Sequence, residues 1–368
     1  MILSAYQFVD GVEIAPDSIA ACADAIRAGG LMGLPTETVY GLGANADSAD
    51  AVAKVFAAKG RPADHPLIVH LAAFDGGMSG VSHYAQQVPA FAQQLMSAFW
   101  PGPLTLILKR REGVGDAAAG GHATIGLRCP DHPVAQAVLS ALRKPEAGQA
   151  EVWGIAAPSA NRFGRVSPTT AAHVQTEFAE LEVANGAPLP ILDGGPCAVG
   201  IESTIIDCSR GVPVLLRPGG ISAAQVEAAC GRKLLSKEEL LVLEQQGLEA
   251  PKASGTLESH YAPNAQVRLM DAAALQVALE VMGSTPLAAA SAAVVRPMVA
   301  LYCRSPFKTE PTRILQRRMT SDAAVTAHEL FSVLREFDDA GVKLIWVETP
   351  PNAPDWDGVR DRLQRAAA

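Results

Sequence analysis

The stretch LPTETVYGLGANA at 34–46, followed by KGRPADHPLIVHL at 59–71, is the part of the sequence that says most about fold and function. It combines small hydroxyls, the carboxylate of Glu37, glycines and two cations, Lys59 and Arg61. That mixture gives an amphipathic helix or strand no advantage, but it suits a loop that holds an anionic ligand. Glycine permits close approach of the backbone, and Lys and Arg neutralise phosphate or carboxylate. We therefore expect an anion-binding loop here.

The length and composition predict a well-buried α/β protein of two domains. The chain has 368 residues, beyond the size at which a single hydrophobic core usually keeps growing. It is 49% hydrophobic and 18% charged, which excludes an intrinsically disordered chain. Its apolar runs are too short to cross a membrane, and the first residues lack the pattern of a signal peptide. We expect a cytoplasmic protein with no membrane partner.

The charge and the cysteines argue against two further classes of protein. The formal net charge of −8 disfavours an extended nucleic-acid surface, so stable direct binding to nucleic acid is not expected. The six cysteines contain no Cys-x-x-Cys pair. Their spacing therefore predicts neither a zinc site nor a disulfide framework.

Short apolar runs predict a mixed α/β sheet in the first part of the chain. Strands are expected at 31–34, 67–72, 104–109, 124–128, 152–158, 190–193, 203–208 and 213–217. Helices are expected from Asp17 to Gly29, from Ser48 to Lys59, and at 85–99, 132–142 and 169–180. Strands interspersed with helices, and two close strand pairs near the end, favour a twisted mixed sheet.

The composition changes between 231 and 264, where a charged helical pattern gives way to Gly, Ser and Pro. That change predicts an interdomain linker at 231–264, between a first domain at 1–230 and a second at 265–368. In the second domain, strands are expected at 267–270, 298–303 and 343–348, with helices at 272–282, 322–339 and 355–367. Alternating strands and helices predict a small α/β domain with a parallel sheet. The Ala-rich stretch 285–297 fits a helix or a loop.

Polar side chains recur where the predicted strands of the first domain end. They are Thr36, His70, Arg128, Ser159–Asn161, Glu202–Thr204 and Arg217. Open α/β sheets bind ligands at strand ends, so the recurrence favours a binding site at this edge. The chain has no Walker A loop, no strand-linked GxGxxG and no GxSxG elbow, which disfavours P-loop enzymes, standard dinucleotide folds and α/β-hydrolases.

Each of these residues also has a purely structural interpretation. Lys59 and Arg61 fit solvated charges that follow a helix. Arg128 fits a structural ion pair as well as a ligand clamp, His70 fits a satisfied core histidine, and Tyr261 fits a surface aromatic. Taken residue by residue, the sequence supports only an anion-binding α/β enzyme.

The motifs taken together resemble a known family. Eight of them occur in the order of the YrdC-like domain: PTETVYGLGANA, KGRPADHPLIVH, WPGPLTLIL, TIGLRCPDHPVA, APSAN, SPTTAAHV, DGGPCAVGIESTIID and VLLRPGG. HYAPN at 260–264 and DGVRDRLQRAAA at 357–368 are similar to the long, two-domain form of that family, the threonylcarbamoyl-AMP synthases. The resemblance implies a YrdC-like domain with a twisted mixed sheet, followed by a smaller, Rossmann-like α/β domain.

The resemblance also implies an activity. Members of the family are nucleotidyltransferases that condense L-threonine, bicarbonate or CO2, and ATP into L-threonylcarbamoyl-adenylate and pyrophosphate. A separate transferase complex uses the adenylate to modify the adenosine beside the anticodon of tRNA. Mg2+ is expected with ATP, held through the substrate phosphates rather than by protein side chains. Phosphoryl-type transfer needs positioning and charge neutralisation more than a covalent nucleophile, and no convincing nucleophile set is visible.

Matching the motifs residue by residue implies two groups of site residues. Those expected at ATP are Lys59, Arg61, Thr124, Ser159, Asn161, Ser167, Thr169, Arg217 and, as part of a lid, Tyr261. Those expected at L-threonine are Thr36, His70, Ser203 and Arg128, the last as a clamp for the carboxylate. The chain departs from the family pattern at Ala63, at Arg162-Phe163 and at Ser254, which weakens the assignment of the phosphate contacts locally.

Two alternative functions remain at this point. One is a carbamoyl-adenylate-forming relative, but such proteins carry zinc-finger-like cysteine pairs and an acylphosphatase region that this sequence lacks. The other is a non-catalytic RNA-binding module, which the net charge of −8 disfavours because RNA affinity depends on phosphate neutralisation.

Overall fold

The chain folds into two compact units in the computed structural model. Unit 1 comprises residues 1–163 and 167–256, and unit 2 comprises 164–166 and 257–368. The structure describes residues 1–4, 7–8, 12–13, 16–144, 147–182, 187–235, 239–240, 242, 245, 247, 251–255, 260–284, 299–309 and 314–368. Much of the predicted linker and the Ala-rich stretch 285–297 lie outside the described residues. The predicted boundaries at 230 and 264 remain predictions.

Unit 1 is built on a ten-stranded mixed sheet. Its strands are β1 (Ile2–Ser4), β4 (Met32–Leu34), β5 (Gly41–Asn45), β6 (Ile68–His70), β7 (Leu104–Lys109), β8 (Thr124–Arg128), β9 (Ile155–Ala156), β10 (Ile191–Asp193), β11 (Thr204–Asp207) and β12 (Val214–Arg217). They lie in the order β1-β10-β4-β5-β9-β6-β8-β7-β11-β12. A separate antiparallel pair is formed by β2 (Gln7–Phe8) and β3 (Val12–Glu13). Parallel and antiparallel neighbours are both present, so the predicted mixed sheet is confirmed.

Helices cover both faces of this sheet. They are α1 (Pro16–Arg27), α2 (Ala49–Lys59), α3 (Met78–Tyr84), α4 (Ala90–Phe99), α5 (Pro133–Arg143), α6 (Ala171–Glu177) and α7 (Ala223–Cys230). One buried cluster joins α1 and α5 to the sheet through Ile26, Val138 and Leu34. The larger cluster packs α2 and α4 on the sheet through residues such as Val55 and Leu95. Burying one apolar face of each helix in this way supplies the main stabilisation of the unit.

Some elements of unit 1 differ from the sequence prediction. The helix expected at 85–99 is shorter and begins at Ala90, because the chain is extended at Ala85 and at Pro89, and α3 at Met78–Tyr84 is a further helix that was not predicted. The stretch GLGAN at 41–45, taken as loop, is a central strand instead. Its glycines are required there, since a Cβ at Gly43 would lie 2.8 Å from the Ile155 side chain on the neighbouring strand.

Unit 2 contains a four-stranded parallel sheet, as predicted for the second domain. Its strands are β13 (Gln266–Met270), β14 (Val299–Cys303), β15 (Ile314–Arg318) and β16 (Leu344–Glu348), in the order β13-β16-β14-β15. Its helices are α8 (Ala272–Ser284), α9 (Ala323–Asp339) and α10 (Asp357–Ala366), with a 3-10 turn at Pro354–Trp356. Strand β15 was not predicted, because only the first two residues of ILQRR are apolar and the last two are charged. Within the described ranges, no helix is long and apolar enough to span a membrane.

Candidate active site

The loop after β4 is organised by its own hydroxyls. Thr36 Oγ1 donates to the carbonyl of Val39 at 2.6 Å and accepts from the Thr38 and Val39 amides, both at 3.2 Å. The Thr36 and Thr38 hydroxyl oxygens lie 2.9 Å apart. Local bonds of this kind fix a tight turn where a strand ends. The turn places Glu37 and Thr38 over the end of the sheet.

Arg128, the last residue of β8, lies at the centre of this edge. Its Nη2 contacts Glu37 Oε1 at 2.6 Å, and its Nη1 donates to Thr38 Oγ1 at 2.7 Å. A longer contact of 3.4 Å joins Nε to the carbonyl of Gly102. Arg128 is only 3% exposed and Glu37 only 8%. The structural ion pair that the sequence allowed for Arg128 is therefore present, and its partner is a carboxylate next to Thr36.

His70 ends the neighbouring parallel strand, in register with Arg128. It is buried, and its Nδ1 has no hydrogen-bond partner among the groups that the structure describes. Burial, reinforced by the positive charge of Arg128, lowers the pKa of His70 to about 3. His70 is therefore neutral at physiological pH.

The low pKa of His70 predicts acid-sensitive folding. Below pH 6.5 the unfolded chain binds a proton at this side chain that the folded protein does not, so stability falls by about 1.4 kcal/mol per pH unit towards pH 3. Denaturant unfolding of wild type and His70→Gln at pH 7, 6 and 5 measures the effect. We expect the wild type to lose stability more steeply than His70→Gln. A control, His328→Gln, replaces an exposed histidine and should keep the wild-type slope; equal slopes for His70→Gln and wild type would contradict the prediction.

A second group of hydroxyls and a cation lie on the next strands. Ser203 Oγ lies 2.8 Å from Thr105 Oγ1, and Thr105 is in register with Arg128 on the adjacent strand. Arg217, the last residue of β12, donates to the Ser203 carbonyl from Nε at 3.1 Å and from Nη2 at 2.9 Å. Of the four residues predicted at threonine, His70, Arg128 and Ser203 lie at one edge of the sheet. Thr36 belongs to the loop whose Glu37 and Thr38 side chains reach Arg128.

Lys59 ends α2, which Ser48 caps and Gly60 terminates with a φ of 64°. Its ammonium donates to the carbonyl of Ser159 at 2.5 Å and to that of Asn161. Lys59 is 3% exposed, so the predicted alternative of a solvated charge is wrong. Burial and the nearby charge of Arg61 lower the pKa of Lys59 well below its usual value.

Arg61 and Arg217 both contact the described part of the predicted linker. Arg61 Nη2 donates to the Pro66 carbonyl at 3.0 Å and lies 3.4 Å from Ser254 Oγ. Arg217 Nη1 donates to the Ser254 carbonyl at 2.9 Å. Arg61 also lies 5.7 Å from the centre of the Phe163 ring, at cation–π distance. Arg61, at 7% exposed, is a buried cation rather than a solvated one.

A small pocket of unit 1 lies beside these arginines, beneath residues 252–254. Thr124, Gly126 and Ile107 line its sheet side, and its volume of about 10 Å³ is roughly that needed by one water molecule. Ala253 packs on the same face of the sheet. Thr124 therefore lies where segment 251–255 covers the sheet, near Arg61 and Arg217.

The remaining residues predicted at ATP are placed as follows. Ser167 Oγ donates to Glu202 Oε1, and the Thr169 amide donates to His173 Nδ1 at 3.2 Å. Ser159 bridges to Gly41, which joins the APSAN motif to the first motif of the chain. Tyr261 belongs to unit 2 and is 1% exposed, packed on Phe331 at 5.5 Å, so its predicted alternative as a surface aromatic is wrong.

Sequence reasoning singled out Glu37 and Glu202 without giving them a role in substrate binding, and it missed Thr105. Glu37 pairs with Arg128, Thr105 with Ser203, and Glu202 with Ser167. The available signal was that each lies inside or beside a motif already singled out. What the sequence did not show was which distant side chain each one meets.

A mixed α/β sheet with buried cations, hydroxyls and a carboxylate along one edge defines an α/β enzyme for small anionic substrates. Residues 24–219 match the family model described as "Telomere recombination", which covers the Sua5, YciO and YrdC proteins. Residues 221–368 match the model described as "Threonylcarbamoyl-AMP synthase, C-terminal domain". The chain therefore belongs to the Sua5/YciO/YrdC family, in the form that carries this C-terminal domain.

Curated relatives and solved structures agree with this assignment. The threonylcarbamoyl-AMP synthase of Bacillus subtilis is 35% identical over 350 residues, covering 95% of this chain and 92% of that protein. The synthase of Pyrococcus abyssi is 40% identical over 253 residues, covering 69% and 68%. The crystal structure of P. abyssi Sua5 complexed with L-threonine matches with a TM-score of 0.79 at 32% identity, covering 100% of this chain and 97% of that one.

Proposed function

We propose that this protein is a threonylcarbamoyl-AMP synthase, an enzyme of the nucleotidyltransferase class. It condenses L-threonine, bicarbonate or CO2, and ATP into L-threonylcarbamoyl-adenylate, with release of pyrophosphate. The observation that carries the proposal is the buried polar edge around Arg128. It lies in a chain that aligns with 92% of a named synthase at 35% identity.

The edge suits the two bond-forming steps of this reaction. The threonine ammonium first loses a proton to solvent, and the free amine then bonds to the carbon of CO2 as one C=O π bond opens. The nitrogen releases a second proton to solvent, which gives a carbamate. A carbamate oxygen then bonds to the α-phosphorus of ATP while the bond to the β-phosphate oxygen breaks and pyrophosphate leaves. Lys59, Arg61 and Arg217 are buried cations of unit 1 that would hold the phosphates, and no covalent intermediate is required.

The threonine site is proposed around Arg128, Thr36, His70 and Ser203. Support comes from the crystal structure of P. abyssi Sua5, which was solved in complex with L-threonine and matches over the whole chain. A guanidinium at a strand end suits the amino-acid carboxylate, and a neutral His70 can accept or donate a hydrogen bond without adding charge.

Mg2+ is proposed to enter with ATP. In the described part of the chain, no group of three His, Cys, Asp or Glu side chains is arranged to hold a metal ion. We propose that the ion is held mainly by phosphate oxygens and water, where it would neutralise charge on the leaving pyrophosphate. The protein's own contribution is then the cation set around Lys59.

The product is proposed to pass to a tRNA-modifying transferase complex that completes threonylcarbamoyladenosine beside the anticodon. Threonylcarbamoyl-adenylate is an activated acyl donor, so an acceptor nucleophile must consume it. Because the reaction uses ATP and serves tRNA modification, we propose the cytoplasm as its location. Stable direct binding of nucleic acid by this chain is not part of the proposal.

Pyrophosphate release by the purified protein tests the function. We expect release from ATP and Mg2+ only when L-threonine and bicarbonate are both present, and omission of either should reduce it to the background of ATP alone. Release without threonine would instead indicate a carbamoyl-adenylate-forming activity. No release from folded protein would contradict the proposal and leave RNA binding as the alternative to examine.

A further inference from the structure

We propose that the carboxylate of Glu37 binds the α-ammonium group of the amino-acid substrate. The inference rests on the proposed function and adds to it a residue that none of the family's motif matches assigned to threonine. Glu37 would make the site selective for a zwitterion rather than for any small carboxylate.

The first observation is that only one oxygen of Glu37 is used. Oε1 contacts Arg128 at 2.6 Å, whereas Oε2 is buried and has no hydrogen-bond partner within the described residues. A buried carboxylate oxygen without a donor is destabilising, because it loses its hydration and gains no hydrogen bond in return. Such an atom is uncommon in folded proteins and calls for an explanation, such as a ligand that supplies the donor.

The second observation is where this oxygen lies. Glu37 is held beside Arg128, at the edge that also carries Thr36 and Thr38. In an α-amino acid a single carbon separates the carboxylate from the ammonium. An amino acid whose carboxylate meets Arg128 therefore has its ammonium within reach of the neighbouring carboxylate, and the ammonium is a three-donor group that Oε2 can accept from.

The charges also balance. A buried Arg–Glu pair is neutral overall, so the empty site does not carry an uncompensated charge. A zwitterion placed against the pair adds one positive and one negative charge, each next to its opposite. A simple carboxylate would add only a negative charge and would be repelled by Glu37. The pair thus favours amino acids over hydroxy acids of the same shape.

A purely structural role for Glu37 is the competing explanation. In that role Glu37 only orients Arg128, and loss of Glu37 weakens the binding of every ligand that Arg128 contacts. The two roles are separated by the ligand (R)-3-hydroxybutanoate, which is L-threonine with the amino group replaced by hydrogen. It keeps the carboxylate and the hydroxyl but lacks the group that Glu37 is proposed to bind.

The experiment is calorimetric titration of wild type and Glu37→Gln with both ligands. For wild type we expect L-threonine to bind at least 10-fold more tightly than (R)-3-hydroxybutanoate. Glu37→Gln should weaken the binding of L-threonine by about 10- to 100-fold, the usual loss of affinity when a hydrogen bond to a charged group is removed. Its affinity for (R)-3-hydroxybutanoate should stay the same or improve, because a repelling charge is removed.

A matched control is Thr38→Val, which removes the other side-chain partner of Arg128 without changing charge. It should weaken the binding of both ligands by similar factors. Thermal unfolding shows whether each variant is folded. If Glu37→Gln is unfolded, Glu37→Asp replaces it, because Asp keeps the charge on a shorter side chain. Glu37→Asp should also weaken the binding of L-threonine more than that of (R)-3-hydroxybutanoate.

The outcomes separate this assignment from the proposed function. If Glu37→Gln weakens the binding of both ligands equally, or leaves the affinity for L-threonine unchanged, the ammonium assignment is wrong and the synthase proposal still stands. The same holds if the wild type binds both ligands equally well. Failure of the wild type to bind threonine at all would overturn the proposed function, and the assignment with it.

Discussion

Replacing Arg128 by Ala is expected to lower the free energy of unfolding by about 3–5 kcal/mol. Arg128 is 3% exposed, and its partner Glu37 is 8% exposed. Removing the guanidinium leaves the Glu37 carboxylate buried with no compensating charge, and Thr38 loses the donor 2.7 Å from its hydroxyl. The cost is set by the orphaned charge more than by the ion pair itself, because a buried ion pair contributes little net stability.

The double variant Arg128→Ala/Glu37→Gln tests that reasoning. Since the double variant leaves neither charge buried without its partner, part of the lost stability should return, and it should unfold at a higher denaturant concentration than either Arg128→Ala or Glu37→Gln alone. Arg128→Ala should also raise the L-threonine KM of pyrophosphate release by 100-fold or more, on the order expected for a lost charged contact to substrate.

Two results would contradict this account of Arg128. An Arg128→Ala protein as stable as wild type would show that Glu37 finds water or another donor without cost. Unchanged threonine dependence in a folded Arg128→Ala protein would remove Arg128 from the threonine site, whatever its structural role. Arg128→Lys, which keeps a charge but loses the planar fork, should fall between wild type and Ala in both measurements.

The strand ends of the site were predictable, because runs of aliphatic residues stopped at a polar side chain. TIGLR and PVLLR show the pattern plainly: the apolar part is buried in the sheet, and the arginine follows at its edge. The pairing of Arg128 with Glu37 was not predictable, since 91 positions separate them in the sequence. Three strands lie between β4 and β8 in the sheet, so the loop after β4 must reach across to bring Glu37 to Arg128, and a single sequence contains little information on such a contact.

Other differences also came from long-range packing. Gly41 and Gly43 were expected in a loop because glycine lets the backbone approach a ligand closely. They lie in β5 instead, where a Cβ would be 2.9 Å from Ala157 Cβ at Gly41 and 2.8 Å from Ile155 Cγ2 at Gly43. In the sequence, Ser254 was notable only as a departure from the family pattern. Its contacts with Arg61 and Arg217 were not predictable, because 193 and 37 positions separate these residues from Ser254. Tyr261 had the alternative of a surface aromatic because it lies in the predicted linker, whereas in the structure its ring contacts Phe331 and Arg362 of its own unit.

Lys59→Ala is expected to lower kcat/KM for ATP by about 100- to 1,000-fold, the usual loss when a preorganised donor to developing charge is removed. The ammonium is bonded to two backbone carbonyls and to no carboxylate in the described residues. Glu177 and Glu202 act on it only at longer range. Its positive charge is therefore not cancelled locally and remains available to phosphate oxygens.

The variant has a second effect that must be separated from the first. Lys59 also ties together the carbonyls of Ser159 and Asn161, so its loss frees the loop that carries both residues. Lys59→Met keeps the apolar stem, fills the buried space and removes only the charged end. If charge on the nucleotide is what matters, Met and Ala should be equally inactive with ATP, although Met should be more stable in thermal unfolding.

The pH dependence of wild type gives an independent check on Lys59. Burial and Arg61 lower the pKa of this ammonium well below 10.5, so it loses its proton at lower pH than an exposed lysine would. The ATP KM of wild type should therefore rise on the alkaline side before any exposed lysine titrates, and this rise should be absent from the residual activity of Lys59→Met. Wild-type ATP kinetics in Lys59→Met, or the same alkaline rise in both proteins, would show that another cation holds the phosphates.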